Sequence, residues 1–468
     1  MPQDKMPQDI SLSLTQFGQE HLVRHLAKLT PAEYEQLTSQ LAAVDLEQLQ
    51  HLVSGSDATP DWADLARRAE APPAIRLNET QPLFGRAAAR EAGEAALRSG
   101  KLGTIVVAGG QGTRLGFEHP KGMFPVGPLS GRTLFQMMAD RLLAVMKRYG
   151  VSIPMFVMTS PATDAETREY FVKNDRCGLA GDQLVIFCQG TMPAVDSTTG
   201  KLLLEGRAQL ALSPDGHGGL VSALDKNGCL VEAERRGIEH FFYAQIDNPM
   251  VQLCDPELIG YHLLSNSQVT TQVVRKRFAK EKVGNVVGID GKVQIIEYSD
   301  LPDAAAEQVL PDGSLKLWAG NIAVHIFERR FLQSVVASAE SLVFHRANKI
   351  VPHLNESLEL VKPEKPNATK FERFVFDLLP LADRSIVVEG DAAEVFAPVK
   401  NADGASIDTP EHSKAALCQL HRSWLEAAGA AVSPHVKVEI HPAWALDAGE
   451  VAKKVGIDFK ISSDTFFR

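Results

Sequence analysis

Residues 107–116 read VAGGQGTRLG, and residues 120–122 read PKG. The bend carries four glycines in eight residues and directly follows the β-branched run Thr104–Ala108, which predicts a buried strand. Without Cβ atoms in the way, consecutive backbone N–H groups of such a bend can approach a phosphate chain. Arg114 adds a fork of donors for phosphate oxygens, and Lys121 adds a mobile positive charge. The pattern therefore predicts a phosphate-binding loop.

Three interpretations of this bend compete. A dinucleotide-binding loop needs G-x-G-x-x-G, but the last spacing here is one residue too long. A Walker A loop needs G-K-[ST], a tripeptide that the sequence lacks. An ordinary glycine-rich strand-to-helix turn explains an isolated G-x-G equally well. The Thr-Arg-Leu-Gly and Pro-Lys that follow favour phosphate binding.

Composition restricts the class of protein. The chain has 468 residues, of which 44% are hydrophobic and 23% charged, proportions that exclude disordered and disulfide-rich proteins. The formal net charge of -10 argues against nucleic acid as a partner. The five cysteines are scattered and form no C-x-x-C pair, and the first residues, MPQDKMPQDI, lack the apolar core of a signal peptide. Since no apolar run could span a bilayer either, we predict a cytoplasmic protein without a membrane partner.

Strands and helices alternate through the middle of the chain. Residues 155–158, 184–187 and 240–244 read as strands, and residues 134–149 and 163–173 read as helices. This rhythm predicts an α/β fold, with ligands beyond the carboxyl ends of the strands. Amphipathic helices precede it, and a more β-rich segment follows it. We therefore predict an N-terminal helical segment over 1–95, a catalytic domain over 96–390 and a small C-terminal α/β domain over 391–468.

The bend and a series of later blocks resemble the UDP-sugar pyrophosphorylases, and most of all the eukaryotic-type UDP-N-acetylglucosamine pyrophosphorylases. The blocks occur in order along nearly the whole chain: MFPVG at 123–127, QG at 189–190, PDGHGG at 214–219, IDN at 246–248, EYS at 297–299, AGNI at 319–322, KPEKPN at 362–367, FVFD at 374–377 and KNAD at 400–403. The resemblance implies a Rossmann-like nucleotidyltransferase fold, glycosyltransferase-A-like, with a mixed sheet flanked by helices.

The resemblance also implies a reaction, in which UTP and a sugar 1-phosphate give a UDP-sugar and diphosphate. The attacking phosphate is already anionic, so catalysis consists of charge neutralisation and positioning. The implied catalytic residues are Arg114, Lys121 and Lys400. The implied nucleotide-binding residues are Ala108, Gly109, Gly110, Gly112, Thr113, Gln189, Gly216 and His217. The implied sugar-binding residues are Gly284, Glu297, Asn321, Phe374 and Phe376.

A divalent cation, Mg2+ or Mn2+, is expected at Asp247, which follows the strand 240–244. From the sequence alone, an ordinary Asp-Asn-Pro turn explains this residue as well as a metal ligand does. From the sequence alone, Gln189 also reads as a loop amide facing water, and the alternation of Phe374 and Phe376 favours core residues of a strand. The family resemblance assigns them to the uracil and sugar sites.

One residue departs from the family pattern. His217 stands where the N-acetylglucosamine enzymes have Asn, and glucose-1-phosphate uridylyltransferases carry a similar Gly-His-Gly turn. The main prediction is a uridylyltransferase that makes UDP-N-acetylglucosamine; a UDP-glucose or broad-specificity enzyme is the alternative. A catalytically silent nucleotide-sugar sensor and a dinucleotide oxidoreductase are the other hypotheses. His217 close to phosphates is expected to carry a proton near neutral pH. The sequence leaves the oligomeric state open.

Overall fold

The computed structural model describes residues 6–55, 61–79, 84–338 and 342–468. In chain order, helices α1 to α16 span Met6–Gln16, Glu20–Leu26, Pro31–Ala42, Leu46–Ser54, Trp62–Arg68, Arg86–Arg98, Leu134–Tyr149, Asp164–Lys173, Leu220–Lys226, Cys229–Arg235, Pro256–Leu264, Asp303–Ala306, Arg329–Ala337, Ala392–Val395, Pro410–Ala427 and Ala448–Lys454. Strands β1 to β12 span Ala74–Ile75, Leu102–Val107, Met155–Thr159, Leu184–Cys188, Thr191–Pro193, Val195–Asp196, Leu204–Gly206, Gln209–Leu210, Leu212–Pro214, His240–Gln245, Val269–Arg275 and Asn285–Ile289. Strands β13 to β23 span Lys292–Ile296, Ala319–Glu328, His345–Lys349, His353–Leu354, Leu360–Val361, Ala368–Glu372, Ser385–Glu389, Ala431–Val432, Val438–Ile440, Lys460–Ile461 and Thr465–Phe467. Among the described residues, no helix combines the length and the hydropathy needed to cross a membrane.

The chain forms two compact units, each assembled from separate segments. Unit 1 comprises Met1–Asp61, Gly190–Leu220 and Leu342–Asp377, and unit 2 comprises the remaining segments, Trp62–Gln189, Val221–Ser341 and Leu378–Arg468. The domains expected over 1–95, 96–390 and 391–468 are continuous stretches of sequence, and their boundaries near residues 95 and 390 stay predictions.

Unit 1 packs the first four helices against short strands. Leucines at helical spacing, among them Leu22, Leu37 and Leu49, share one core with Leu210 and Phe371 from later segments. Helix α3 begins at a capping box, in which Thr30 and Glu33 satisfy each other's backbone N–H groups. The amphipathic helices expected at the start of the sequence are confirmed, with four of them, α1 to α4, between Met6 and Ser54.

Unit 2 is built on a mixed sheet with the strand order β1-β19-β11-β14-β10-β2-β3-β4. Neighbouring strands are parallel except at β14, which runs antiparallel to both β10 and β11. The expected strands at 104–108, 155–158, 184–187 and 240–244 and the helix at 134–149 are confirmed. The parallel strands all end at the same edge of the sheet, where the bend at 109–116, Gln189 and Asp247 follow β2, β4 and β10.

The C-terminal segment carries more helix than its sequence indicates. The expected β-rich segment includes strand β21, but residues 392–403 begin with helix α14 and contain no strand. The 18-residue helix α15 begins at Pro410, where the Thr409 side chain accepts a hydrogen bond from the His412 N–H. Its apolar side chains, Leu417, Leu420 and Leu425, are buried.

Candidate active site

The glycine-rich bend is closed by its own backbone. The Gly112 N–H donates to the His119 carbonyl at 2.9 Å, and the Lys121 N–H donates to the Gly110 carbonyl at 3.0 Å. Residues 113–115 make one turn of 3-10 helix, which ends at Gly116 with φ 71°, a left-handed conformation that favours glycine. Within the described residues, the N–H groups of Gly109, Gly110 and Gln111 donate no hydrogen bond to the protein. These consecutive donors can bind an anion.

Gly109 is required for the close approach of Gln189. A Cβ at residue 109 would lie 2.7 Å from Gln189 Oε1 and 3.3 Å from the Ser160 Cβ. The Ser160 hydroxyl donates to the Gly109 carbonyl at 2.7 Å, which fixes the start of the bend. Gln189 is buried at the end of β4, and its N–H donates to the Thr159 carbonyl at 2.9 Å. The structure thus brings the predicted uracil-binding amide to the first glycine of the bend.

A cation and a carboxylate meet beside the bend. Lys121 Nζ lies 3.6 Å from Asp247 Oδ2, and the two side chains are 18% and 16% exposed. The segment with Lys400 is attached to Asp247 by a backbone hydrogen bond, which the Val399 N–H donates to the Asp247 carbonyl at 2.8 Å. The Lys400 ammonium lies 5.7 Å from the centre of the Phe396 ring. By contrast, Arg114 is exposed on the bend.

Sequence reasoning missed Asp408, which holds the Lys400 segment. The Asp408 carbonyl accepts hydrogen bonds from the N–H groups of Lys400 at 2.7 Å and Asn401 at 3.0 Å. Asp408 has φ 58°, a left-handed conformation. Burial raises the pKa of its carboxyl, while Lys400 and Arg277 oppose the shift. No motif marked this residue, because its backbone conformation depends on the whole loop.

The residues around Asp247 fit a cation that a substrate would help to bind. Among the described residues, no group of three or more His, Cys, Asp or Glu side chains could hold a metal ion by itself. Asp247 offers one carboxylate at the carboxyl end of β10, and Mg2+ commonly binds through one or two carboxylates plus phosphate oxygens. A resident metal centre formed by protein ligands alone does not fit this geometry.

Three of the predicted sugar-binding residues lie together in unit 2. A Cβ at Gly284 would be 2.9 Å from Glu297 Oε1 and 3.6 Å from the Asn321 Cβ. The Asn321 N–H donates to the Gly284 carbonyl at 2.8 Å. The Asn321 side-chain oxygen accepts from the Ala323 N–H at 3.0 Å, which leaves the NH2 group as its donor. A carboxylate and an amide therefore stand side by side, as recognition of hydroxyl groups requires.

The other predicted residues, Gly216, His217, Phe374 and Phe376, form a cluster in unit 1. Gly216 has φ 81°, and a Cβ there would lie 2.3 Å from the Arg373 carbonyl oxygen. The His217 ring lies 5.3 Å from Phe374 and 5.6 Å from Phe376, and the two phenylalanines stack at 4.9 Å. Phe374 and Phe376 were expected to alternate on a strand, but Phe374 directly precedes a 3-10 turn over Val375–Leu378 and Phe376 lies within it. The turn brings both rings to the same side.

His217 differs from the expectation of a proton near neutral pH. The Val375 N–H donates to His217 Nδ1 at 3.0 Å, so the neutral ring carries its proton on Nε2. Burial and, to a smaller extent, the nearby His345 lower the pKa of His217 to about 4. The imidazole is therefore a neutral hydrogen-bonding group at physiological pH.

Asp215, which was quoted in the sequence pattern without a role, and Arg373, which was not quoted, hold the turn at Gly216. Asp215 is buried beside Arg373, with 2.5 Å between its Oδ2 and an Arg373 guanidinium nitrogen. The Arg373 N–H also donates to the Asp215 carbonyl at 2.8 Å. Asp215 and Arg373 together fix the backbone on both sides of Gly216.

Comparison with known proteins gives consistent results. The family model described as UTP--glucose-1-phosphate uridylyltransferase matches residues 61–449. A human protein named UDP-N-acetylhexosamine pyrophosphorylase-like protein 1 is 37% identical over 457 residues, which are 93% of this chain and 88% of the relative. UDP-N-acetylglucosamine pyrophosphorylase of Saccharomyces cerevisiae is 38% identical over 353 residues, 74% of each chain. The crystal structure of the uridine diphosphate N-acetylglucosamine pyrophosphorylase from Trypanosoma brucei, in complex with inhibitor, superposes with a TM-score of 0.79 at 26% identity, covering 97% of this chain and 96% of that one.

Proposed function

The chain belongs to the UTP–glucose-1-phosphate uridylyltransferase family of nucleotidyltransferases, and from this premise we propose its substrates. The proposed substrates are UTP and N-acetyl-α-D-glucosamine 1-phosphate, which react to give UDP-N-acetylglucosamine and diphosphate. The relatives from yeast and Trypanosoma brucei, which are named for this sugar, support the choice.

The observation that carries the proposal is the charge arrangement around Asp247. Lys121 lies 3.6 Å from this carboxylate, and the backbone of Asp247 holds the segment that presents Lys400. One cation beside a bend with unpaired N–H groups, and a second on the segment attached to Asp247, suit a reaction that brings two polyanions together. A protein that merely binds a nucleotide would not need both lysines.

The proposed chemistry is an in-line displacement at the α-phosphorus of UTP. An oxygen of the sugar phosphate forms the new bond to phosphorus, and the bond from phosphorus to the leaving diphosphate breaks. The N–H groups of Gly109, Gly110 and Gln111, together with Arg114, would hold the phosphates. Lys121 would neutralise the charge that develops at phosphorus, and Lys400 would orient the sugar phosphate.

A divalent cation, Mg2+ or Mn2+, is part of this proposal. Asp247 would bind it together with phosphate oxygens of UTP, and the cation would reduce the repulsion between the two substrates. Since Lys121 Nζ lies 3.6 Å from Asp247 Oδ2, the metal ion and the lysine would share the Asp247 carboxylate. A cytoplasmic location, which the five free thiols support, also belongs to the proposal.

The sugar is proposed to lie against Glu297 and Asn321, whose carboxylate and amide suit hydroxyl groups. His217 favours a second candidate function, a UDP-glucose or broad-specificity enzyme, because it gives the chain a Gly-His-Gly turn similar to that of the glucose-1-phosphate uridylyltransferases. The nucleotide and sugar contacts expected of Gly216, His217, Phe374 and Phe376 stay predictions.

A panel of sugar 1-phosphates tests the proposal. Diphosphate release is measured with UTP and each of N-acetylglucosamine, N-acetylgalactosamine and glucose 1-phosphate, with Mg2+ and with chelator. We expect the highest kcat/KM with N-acetylglucosamine 1-phosphate and no turnover in chelator. His217→Asn serves as the matched variant, because it restores the turn of the N-acetylglucosamine enzymes. Equal or faster turnover of glucose 1-phosphate by the unmodified enzyme would select the second candidate.

A further inference from the structure

A cavity of about 60 Å³ lies in unit 2 beneath helix α7. Its walls come from Arg141 on α7, from residues 249–252, from His421 and Trp424 on α15, and from residues 439–442. One water needs about 10–15 Å³ of such volume, so the cavity has room for a small ion but not for a nucleotide.

Arg141 lines this cavity with a buried donor that lacks a partner among the described residues. Its Nε atom is buried and has no hydrogen-bond partner in the described part of the chain. Burial lowers the pKa of Arg141 to about 10, and the carboxylates of Asp255 and Asp447 partly oppose this shift. The guanidinium is therefore still positively charged at neutral pH. A buried N–H without a hydrogen-bond partner is costly unless an acceptor joins it.

His421, on the wall formed by α15, supplies a second donor to the cavity. The Ile440 N–H donates to His421 Nδ1 at 3.3 Å, which leaves Nε2–H as the donor of the neutral ring. Burial and the neighbouring Arg141 lower the pKa of His421 to about 4. The ring is thus a neutral donor next to a cation.

Two of the three carboxylates that line the cavity are engaged elsewhere. Glu439 accepts two backbone N–H groups at 2.7 Å and a hydroxyl at 2.6 Å. Asp140 is paired with Arg132 and with His441, whose Nε2 lies 3.3 Å away. Burial raises the pKa of Glu394. Arg141 therefore keeps its donors for another anion.

We propose that this cavity binds a small oxyanion, of the size of inorganic phosphate, between the guanidinium of Arg141 and the ring of His421. The guanidinium offers charge-assisted hydrogen bonds, which phosphate and carboxylate oxygens accept best.

Because of the place of the cavity, a bound ion influences turnover, an effect that rests on the proposed function. Residues 249–252 directly follow Asp247 and Asn248, and α15 follows the segment that carries Lys400. An ion held between these walls restrains both catalytic segments. We expect phosphate to raise kcat at saturating substrates through this site.

Calorimetric titration with inorganic phosphate tests the binding site. Arg141→Met is expected to weaken one class of sites about 10- to 150-fold, the loss of one charged hydrogen bond. Lys147→Met is the matched control, because it removes a positive charge from an exposed position of the same helix. Lys121→Ala separates this site from the triphosphate loop and is expected to retain it. Unchanged phosphate binding by Arg141→Met would overturn the proposal.

Stability in phosphate-free buffer distinguishes a structural role of Arg141. If the arginine only balances Asp255 and Asp447, Arg141→Met is less stable and responds to phosphate like the unmodified protein, which would overturn the site. If the proposal is correct, Arg141→Met is at least as stable without phosphate and loses the stabilisation by phosphate. Should this variant not fold, crystals of the unmodified protein soaked in selenate decide. An anomalous peak between Arg141 and His421 supports the site, and its absence refutes it.

Kinetics separates this inference from the proposed function. Phosphate is expected to raise kcat of the unmodified enzyme and of Lys147→Met, but not that of Arg141→Met. If phosphate instead competes with UTP at the triphosphate loop, it changes the KM for UTP, and this effect persists in all three proteins. An enzyme without turnover would refute the proposed function, whereas the calorimetry would still decide whether the cavity binds phosphate.

Discussion

The contact between Gly109 and Gln189 predicts what a single methyl group does at residue 109. In Gly109→Ala the added carbon would stand 2.7 Å from Gln189 Oε1, whereas ordinary contacts begin at 3.4 Å. The carboxamide is the end of a flexible side chain, so it yields before the backbone does. We expect the protein to fold normally with this amide displaced.

The displacement should appear in the affinity for UTP. If Gln189 recognises uracil, its displacement removes one neutral hydrogen bond, worth about 0.5–1.5 kcal/mol. The KM for UTP should then rise about 2- to 13-fold. The KM for the sugar 1-phosphate should stay unchanged, since the substitution leaves Glu297 and Asn321 untouched.

A double-mutant cycle checks this reasoning with steady-state kinetics. Gln189→Ala alone should raise the KM for UTP similarly, and adding Gly109→Ala to it should have no further effect, because the obstructing group is gone. Gly181→Ala is the control, since its Cβ would meet no atom within 4 Å and it lies just before the same strand. Additive effects in the double variant would refute the proposed contact.

Three further predictions concern catalysis, backbone and pH. Lys121→Ala and Asp247→Ala should keep the fold by circular dichroism and lose about 10²- to 10³-fold in kcat for diphosphate release, and a near-native rate would contradict their roles. Asp408→Asn should tolerate the left-handed backbone, whereas Asp408→Ala should lower the free energy of unfolding by about 1 kcal/mol in urea denaturation; equal stability would exclude strain at this position. Acidification from pH 6.5 to 4 should destabilise the protein by up to about 1.4 kcal/mol per pH unit for His217, because the unfolded state takes up a proton that the folded state, with a pKa of about 4, does not. Asp255, whose pKa burial raises to about 6, acts in the opposite direction between pH 6 and 3.8, and His217→Asn should flatten the urea-midpoint profile.

Local patterns predicted the strands and the glycine-rich bend well. The helix Leu134–Tyr149 matched to the residue, because Thr133 caps its start and Gly150, with φ 68°, ends it. Likewise, Asp247 could be placed at a carboxyl end as soon as β10 was recognised as a strand. In these cases the structure follows from neighbouring residues.

Long-range pairing was beyond local patterns. The direction of β14 depends on how the chain returns to the sheet between β10 and β11, and no residue within the strand encodes it. The same holds for unit 1, where Ala368 pairs with Asp196. The burial that lowers the pKa of His217 also comes from distant segments, so a neutral pKa was the reasonable expectation from the sequence.

The edge of the large sheet has a consequence for biosynthesis. Strand β1 pairs Ala74 with Val387, and Arg76 donates to Glu389 across a separation of 313 residues. At about 5–20 residues per second, a ribosome needs about 15–60 s to supply the second partner of this pair. During that interval, Ala74 and Ile75 have no β19 strand to pair with. This edge of the sheet can therefore be completed only after translation has passed residue 389.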